Sequence, residues 1–201
     1  MKKIIFPLVI ISVATYILAV IIAGFFKEGY SQLWNTVSIL TAKGESTRSA
    51  VVTVSAITYL SLLVITIYSS FVSTTKTTKV ASQLLIMAAV FSLVQLFLPM
   101  DPWQGFRTNA DKIHDWITVG IAVSIISSIF LFAAKTKGFF RKISFCLGGL
   151  VLLFAVLSGW FLLSWNFYYL GLFERLWILS FLAWIIFFSY HISRNDKTAV
   201  V

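Results

Sequence analysis

The chain has 201 residues, 59% of them apolar and only 11% charged, with a mean hydropathy of +0.94 and a net charge of +9. A water-soluble domain is about 45–50% apolar and about 25% charged, so the composition excludes a soluble, disordered or disulfide-scaffold protein. The single cysteine, Cys146, has no partner for an internal bridge.

A hydrocarbon core of about 30 Å takes roughly 20 apolar residues in a helix. Six runs of that size are free of Asp, Glu, Lys and Arg: 4–26, 50–72, 80–100, 116–134, 143–163 and 176–192. The first follows Lys2 and Lys3 as in a signal peptide, but it exceeds the usual apolar length and lacks a small-x-small cleavage site, so it reads as a retained anchor. Between the first two spans, Leu33, Trp34, Val37 and Leu40 recur at helical spacing. A short amphipathic helix over 32–40, capped by Ser31, is expected there. On the second span Ser55, Thr58, Thr66 and Ser69 share one face, and on the fourth Gly120, Ser124 and Ser128 repeat every four residues. Small and hydroxylated stripes of this kind pack helices in a bilayer. Pro99 and Pro102 end the third span, and 101–115 forms the second long connection. The expected architecture is all-α: one six-helix transmembrane domain over 1–201.

Basic residues set the orientation. With a cytoplasmic N-terminus, Lys2, Lys3, Lys76, Lys79, Lys135, Lys137, Arg141, Lys142, Arg194 and Lys197 lie inside, against Asp196 alone. Lys27, Lys43, Arg48, Arg107, Lys112 and Arg175 lie outside, balanced by Glu28, Glu45, Asp101, Asp111, Asp115 and Glu174. Short loops rich in Lys and Arg stay inside, so both termini are expected in the cytoplasm. The positive charge then belongs to contact with anionic inner-leaflet lipid and not to nucleic acid. Trp34, Trp103, Trp116, Trp160, Trp165 and Trp177, with Tyr30, Tyr168 and Tyr169, fall near the outer boundary as an aromatic belt, and only Trp184 is deep.

The chemically capable side chains concentrate on the outer side. A helical start over 111–115 sets an acid beside His114, and a carboxylate next to imidazole makes a general base. Asp101 and Glu174 converging from neighbouring helices would add acid chemistry, with Arg107 or Arg175 as a cationic clamp. The plainer reading is that these acids cap helix N-termini and pair with loop cations. No two-His zinc spacing is present, and His114 and His191 sit at opposite edges, which excludes a bis-imidazole haem. No metal and no cofactor are expected. Gln95 and Asn166 are the strongest polar groups near a span, and the lack of an intramembrane acid counts against a proton- or ion-coupled carrier.

Gly29-Tyr30-Ser31 with Asn35-Thr36-Val37-Ser38-Ile39-Leu40, then Leu98-Pro99-Met100-Asp101, then His114, then Gly171-Leu172-Phe173-Glu174-Arg175-Leu176 resemble the DUF998 family of multi-spanning bacterial and archaeal membrane proteins. The resemblance covers nearly the whole chain, and Glu28 and Thr41 depart from it where Pro and Gly are frequent. It implies a six-helix bundle and marks Tyr30, Ser31, Ser38, Asp101, His114, Glu174 and Arg175 as motif positions. It implies no activity.

The expectation is a multi-pass plasma-membrane protein with an outward-facing polar site at the lipid–water boundary, which binds or modifies a lipid or lipid-linked substrate. Membrane lipids are its expected partners. In an enzymatic version His114 is the base, Asp111 or Asp101 orients it, and Glu174 is the acid. Arg175 or Arg107 steadies an anionic head group, Ser31 or Ser38 is the nucleophile, and Tyr30 contacts substrate. The alternatives are a non-catalytic accessory or scaffold subunit, whose outer charges only lock the loops, and a small-solute transporter.

Overall fold

A computed structural model describes residues 2–73, 75–102, 107–164 and 167–194. Its elements are α1 Lys2–Phe26, α2 Arg48–Val72, α3 Lys76–Phe97, α4 Asn109–Lys135, α5 Gly138–Leu163 and α6 Leu170–Arg194, with short 3-10 turns at Val37–Thr41 and Phe167–Tyr169. The described residues contain no strand. Helices of 22 to 27 residues rise about 33–40 Å at 1.5 Å per residue, enough to cross a bilayer core. All six are long and apolar enough to do so. Hydrocarbon offers no partner to a free backbone amide, so each crossing segment must satisfy its own N–H and C=O groups as a helix.

Each helix packs on its neighbour in sequence, and α6 closes on α1 to complete a ring. The long connections gather at one end of this ring. Lys43 N–H donates to Met100 O at 3.0 Å, and Leu172 N–H donates to Leu33 O at 2.9 Å, so the α1–α2 connection touches both of the other two sides. The tight turns after α2 and α4 lie at the opposite end.

Several helix boundaries differ from the expected spans, α3 beginning at Lys76 and not at 80 and α5 at Gly138 and not at 143, and three more bear on the polar residues near the long connections. α3 stops at Phe97, three residues early, ahead of Pro99. α4 starts at Asn109 and not at 116, because Thr108 and Asp111 form a reciprocal capping box. α6 starts at Leu170 and not at 176. An uncharged run marks only the part of a helix in hydrocarbon; capped and paired charges let the helix continue beyond it. Asp111, His114 and Asp115 are helical residues, as the expected helical start over 111–115 has them, and so are Glu174 and Arg175.

The expected amphipathic helix over 32–40 is also corrected. Only Val37–Thr41 is helical, as one 3-10 turn preceded by Thr36. Ser31 instead makes a local turn, accepting Leu33 N–H at 3.3 Å. The segment's backbone groups are bonded by α6, which leaves them unavailable for a helix of their own.

Buried hydroxyls hold the ring together as expected. Ser12 donates to Ser61 at 2.9 Å, Ser69 and Ser82 share a bond of 2.9 Å, and Ser128 donates to Ala81 O at 2.8 Å. Gly148 meets Ile129, whose methyl would lie 2.8 Å from an added Cβ, whereas Gly149 faces open space and Gly120 meets only the Phe91 ring. Trp34, Trp116, Trp160, Tyr168 and Tyr169 are exposed, as a belt requires. Trp177 is not part of it: at 8% exposure it packs inside the ring. Trp103, Trp165, Asn166, Asp196 and Lys197 lie outside the described residues.

Candidate functional site

The start of α6 clamps the α1–α2 connection. At Gly171 the Asn35 carbonyl oxygen comes within 2.3 Å of where a Cβ would stand, so only glycine allows this approach. Leu172 N–H, one of the donors a helix start leaves unpaired, donates to Leu33 O. Glu174 Oε2 accepts Val37 N–H at 2.6 Å, and the Ser38 hydroxyl also bonds its carboxyl group. Arg175 Nη1 donates to Gln32 O and Asn35 O, both at 2.8 Å, and to Gly171 O at 2.9 Å. Its Nη2 donates to the Tyr30 hydroxyl, and the guanidinium lies 5.5 Å from the Tyr30 ring centre. Tyr30 in turn donates to Thr36 O at 3.0 Å.

Burial pushes the Tyr30 phenol up to about 12, against the opposing pull of Arg175. An unfolded phenol ionises near 10, and the docked one keeps its proton beyond that. The Tyr30 contribution is therefore complete below pH 10 and is lost as pH rises from there toward 12. Tyr30→Phe is expected to flatten that part of an alkaline unfolding curve followed by circular dichroism.

The start of α4 is bound in the same way. Asp111 Oδ2 accepts Thr108 N–H at 2.9 Å and its Oδ1 accepts Asp101 N–H at 3.0 Å. Asp101 pairs with Lys43 at 2.5 Å, and that hydrogen bond holds its carboxyl below the usual range. Arg107 pairs with Asp115, and Lys27 with Glu45. His114, 5% exposed, has its Nδ1 at 2.9 Å from Leu98 O. A carbonyl only accepts, so Nδ1 carries a proton and Nε2 is left to face other partners. The expected orienting carboxylate is absent from this contact: Asp111 is engaged by backbone amides and Asp101 by Lys43.

His114, Glu174 and Ser38 line a single cavity of about 110 Å³ inside the ring. Every helix except α5 contributes to its wall. Tyr16 enters from α1, Ser55, Thr58 and Tyr59 from α2, Ser92 and Gln95 from α3, Thr118 from α4, and Trp177 and Phe181 from α6. Gln95 Nε2 donates to His114 O at 3.2 Å and to Thr118 Oγ1 at 2.5 Å. Glu174 is 9% exposed and lies on a membrane-spanning helix. It stands in the first turns of α6, just ahead of the uncharged run 176–192. Asp101, Asp111, Arg107, Arg175, Ser31 and Tyr30 do not line the cavity; they lock the connections above it.

The wall residues Tyr16, Tyr59 and Trp177 had no sequence signal beyond ordinary packing and belt positions. The α2 hydroxyl stripe and Gln95 were visible, but as helix glue and as an isolated polar group. A family model described as "Protein of unknown function (DUF998)" matches residues 10–191. The chain belongs to the DUF998 family. Comparison with curated proteins and with solved structures finds no match. The DUF998 segments noted in the sequence meet in space: Gly29-Tyr30-Ser31 and Asn35–Leu40 dock on Gly171–Leu176, while Leu98 holds the His114 ring.

Proposed function

We propose that this multi-pass DUF998 protein binds, at its bundle cavity, the polar group of a lipid or lipid-linked substrate and carries out proton transfer on it. The observation that supports this reading is that His114 and Glu174, from α4 and α6, line one cavity. His114, with Nδ1–H held by Leu98 O, turns Nε2 to the task of accepting a proton, and the Glu174 carboxylate, which takes hydrogen bonds from Val37 N–H and Ser38, is the second group that can carry one. Ser38, beside Glu174, is the hydroxyl nearest to nucleophile duty; Ser31 is tied into its local turn. Arg175 acts on the loop and not on an anionic head group. The surplus of cations on the tight-turn side supports cytoplasmic termini in the plasma membrane and a site on the outer half.

The test is lipidomics on a deletion strain complemented with wild type, His114→Ala or Glu174→Gln. Lipid species altered by deletion, restored by wild type and not restored by either variant, support the reading. Full restoration by both variants contradicts it and favours the scaffold alternative, on which the ion pairs of Asp101, Arg107 and Lys27 simply lock the loops.

A further inference from the structure

We infer that the group held in this cavity is a small organic cation, a protonated or quaternary amine, and not a phosphate or other anion. This rests on the cavity being the ligand site, and it names the class of ligand.

Most of the polar atoms in the wall are acceptors, the exceptions being the Trp177 indole N–H, the Ser55 hydroxyl and one phenol proton. Glu174 offers a carboxylate, and His114, with Nδ1–H spent on Leu98 O, offers Nε2. Gln95 has its amide hydrogens directed to His114 O and Thr118 Oγ1, which leaves its carbonyl oxygen. The hydroxyls point the same way. Thr41, Thr58, Thr66, Ser92 and Thr118 each donate to a backbone carbonyl, so what they present to a ligand is lone pairs. The Tyr16 and Tyr59 hydroxyls bond each other, which consumes one of their two protons.

Among the described residues no Lys or Arg lines the cavity. Arg48 directs its guanidinium to the carbonyls of Thr41 and Leu96, and Arg175 directs its own to those of Gln32, Asn35 and Gly171. An anion placed here would meet Glu174 in a medium that screens poorly, with the neighbouring Arg175 already bonded to loop carbonyls and outside the wall, which is unfavourable. An ammonium meets a carboxylate, acceptor lone pairs, and the rings of Tyr16, Tyr59, Trp177 and Phe181, whose faces attract cations. Size agrees. A cavity of about 110 Å³ is well below the roughly 300–1,000 Å³ of drug-sized sites and suits a group of a few heavy atoms such as ethanolammonium or choline.

The chemistry is shared by a free amine and by the amine end of a lipid head group, and the experiment separates them. The full chain is placed in nanodiscs of phosphatidylglycerol alone and titrated by calorimetry with ethanolammonium chloride, choline chloride, sodium chloride or sodium phosphate. A parallel arm replaces part of the lipid with phosphatidylethanolamine and reads retained lipid by native mass spectrometry. Saturable binding of either soluble amine, or selective retention of phosphatidylethanolamine, supports the inference; the first points to a free amine and the second to a head group. In either arm Glu174→Gln is expected to weaken binding at least tenfold, with Glu28→Gln, an exposed carboxyl at the same end, unchanged. Should Glu174→Gln fail to fold, wild-type preference for amine over phosphate and sodium decides. Binding of phosphate or sodium in preference to amine, or no amine in either arm, overturns the inference. Altered lipid profiles in the His114→Ala strain without amine binding would overturn it while leaving the proposed function standing.

Discussion

Gly171→Ala is expected to lower the unfolding temperature of the purified protein by roughly 4–10 °C. The added methyl would sit 2.3 Å from the Asn35 carbonyl oxygen and 2.8 Å from its carbon and from Arg175 Nη1. Both colliding partners on the Asn35 side are backbone, so relief requires the whole α1–α2 connection to lift. Lifting it withdraws Val37 N–H from Glu174 and three carbonyls from reach of Leu172 N–H and Arg175. Overpacking of this kind costs about 1–3 kcal/mol, and for a chain of this length each kcal/mol moves the transition by about 2–4 °C. Arg175→Met removes the same contacts from the other side, so the double variant is expected to fall short of the sum of the two. Gly149→Ala is the control. Its Cβ meets nothing, and alanine is the better helix former, so the transition is expected to hold or rise slightly.

Trp184→Ala is expected to cost about 3–5 kcal/mol, the range for removing a fully buried aromatic ring. Trp184 has 0% exposure and stands between α4, α5 and α6. Its ring centre lies 4.8 Å from that of Phe188, 6.1 Å from Phe132 and 6.4 Å from Phe140, and its Nε1–H donates to Ser144 Oγ at 3.0 Å. In a bilayer the gain from burying apolar surface between helices is small, because lipid tails are as apolar as the side chains. This close ring packing and the Trp184–Ser144 hydrogen bond help tie α5 to α6. Ser144→Ala leaves that N–H without its partner and is expected to cost about 1–3 kcal/mol. Leu153→Ala, on the lipid-facing side of the same helix at 51% exposure, is expected to change stability far less. Reversible unfolding in mixed micelles, followed by far-ultraviolet circular dichroism, measures all three.

The fold was legible because hydrocarbon imposes helices on every uncharged run of sufficient length. The boundaries were less so. The Thr108-x-x-Asp111 pattern that starts α4 is a capping signal, but it begins eight residues ahead of the apolar run, where a span search does not look. The α6 start is harder still, since Glu174 and Arg175 stay helical only because the α1–α2 connection bonds them. His114, Glu174 and Ser38 were visible as candidate site residues because their types carry chemistry. The roles of Asp101, Asp111, Arg107 and Arg175 were not, because an acid near an imidazole in sequence says nothing of whether a lysine or a backbone amide reaches it first. Here Lys43 takes Asp101, and Thr108 with Asp101 takes Asp111. Tyr16 and Tyr59 become cavity walls only through the closure of α6 on α1, a contact between opposite ends of the chain.

Central to the proposed function is that water reaches the cavity inside the bundle, lined by His114, Glu174 and Gln95. Thiol labelling tests it directly: in a Cys146→Ser background, Ser55→Cys and Ser92→Cys line the cavity, while Ile57→Cys and Leu60→Cys face lipid at 54% and 51% exposure. A small cationic thiosulfonate added outside intact cells is expected to modify the first pair quickly and the second pair slowly, since only a hydrated thiol ionises and reacts. Equal rates at all four positions, or faster reaction at Ile57 and Leu60, would contradict the account.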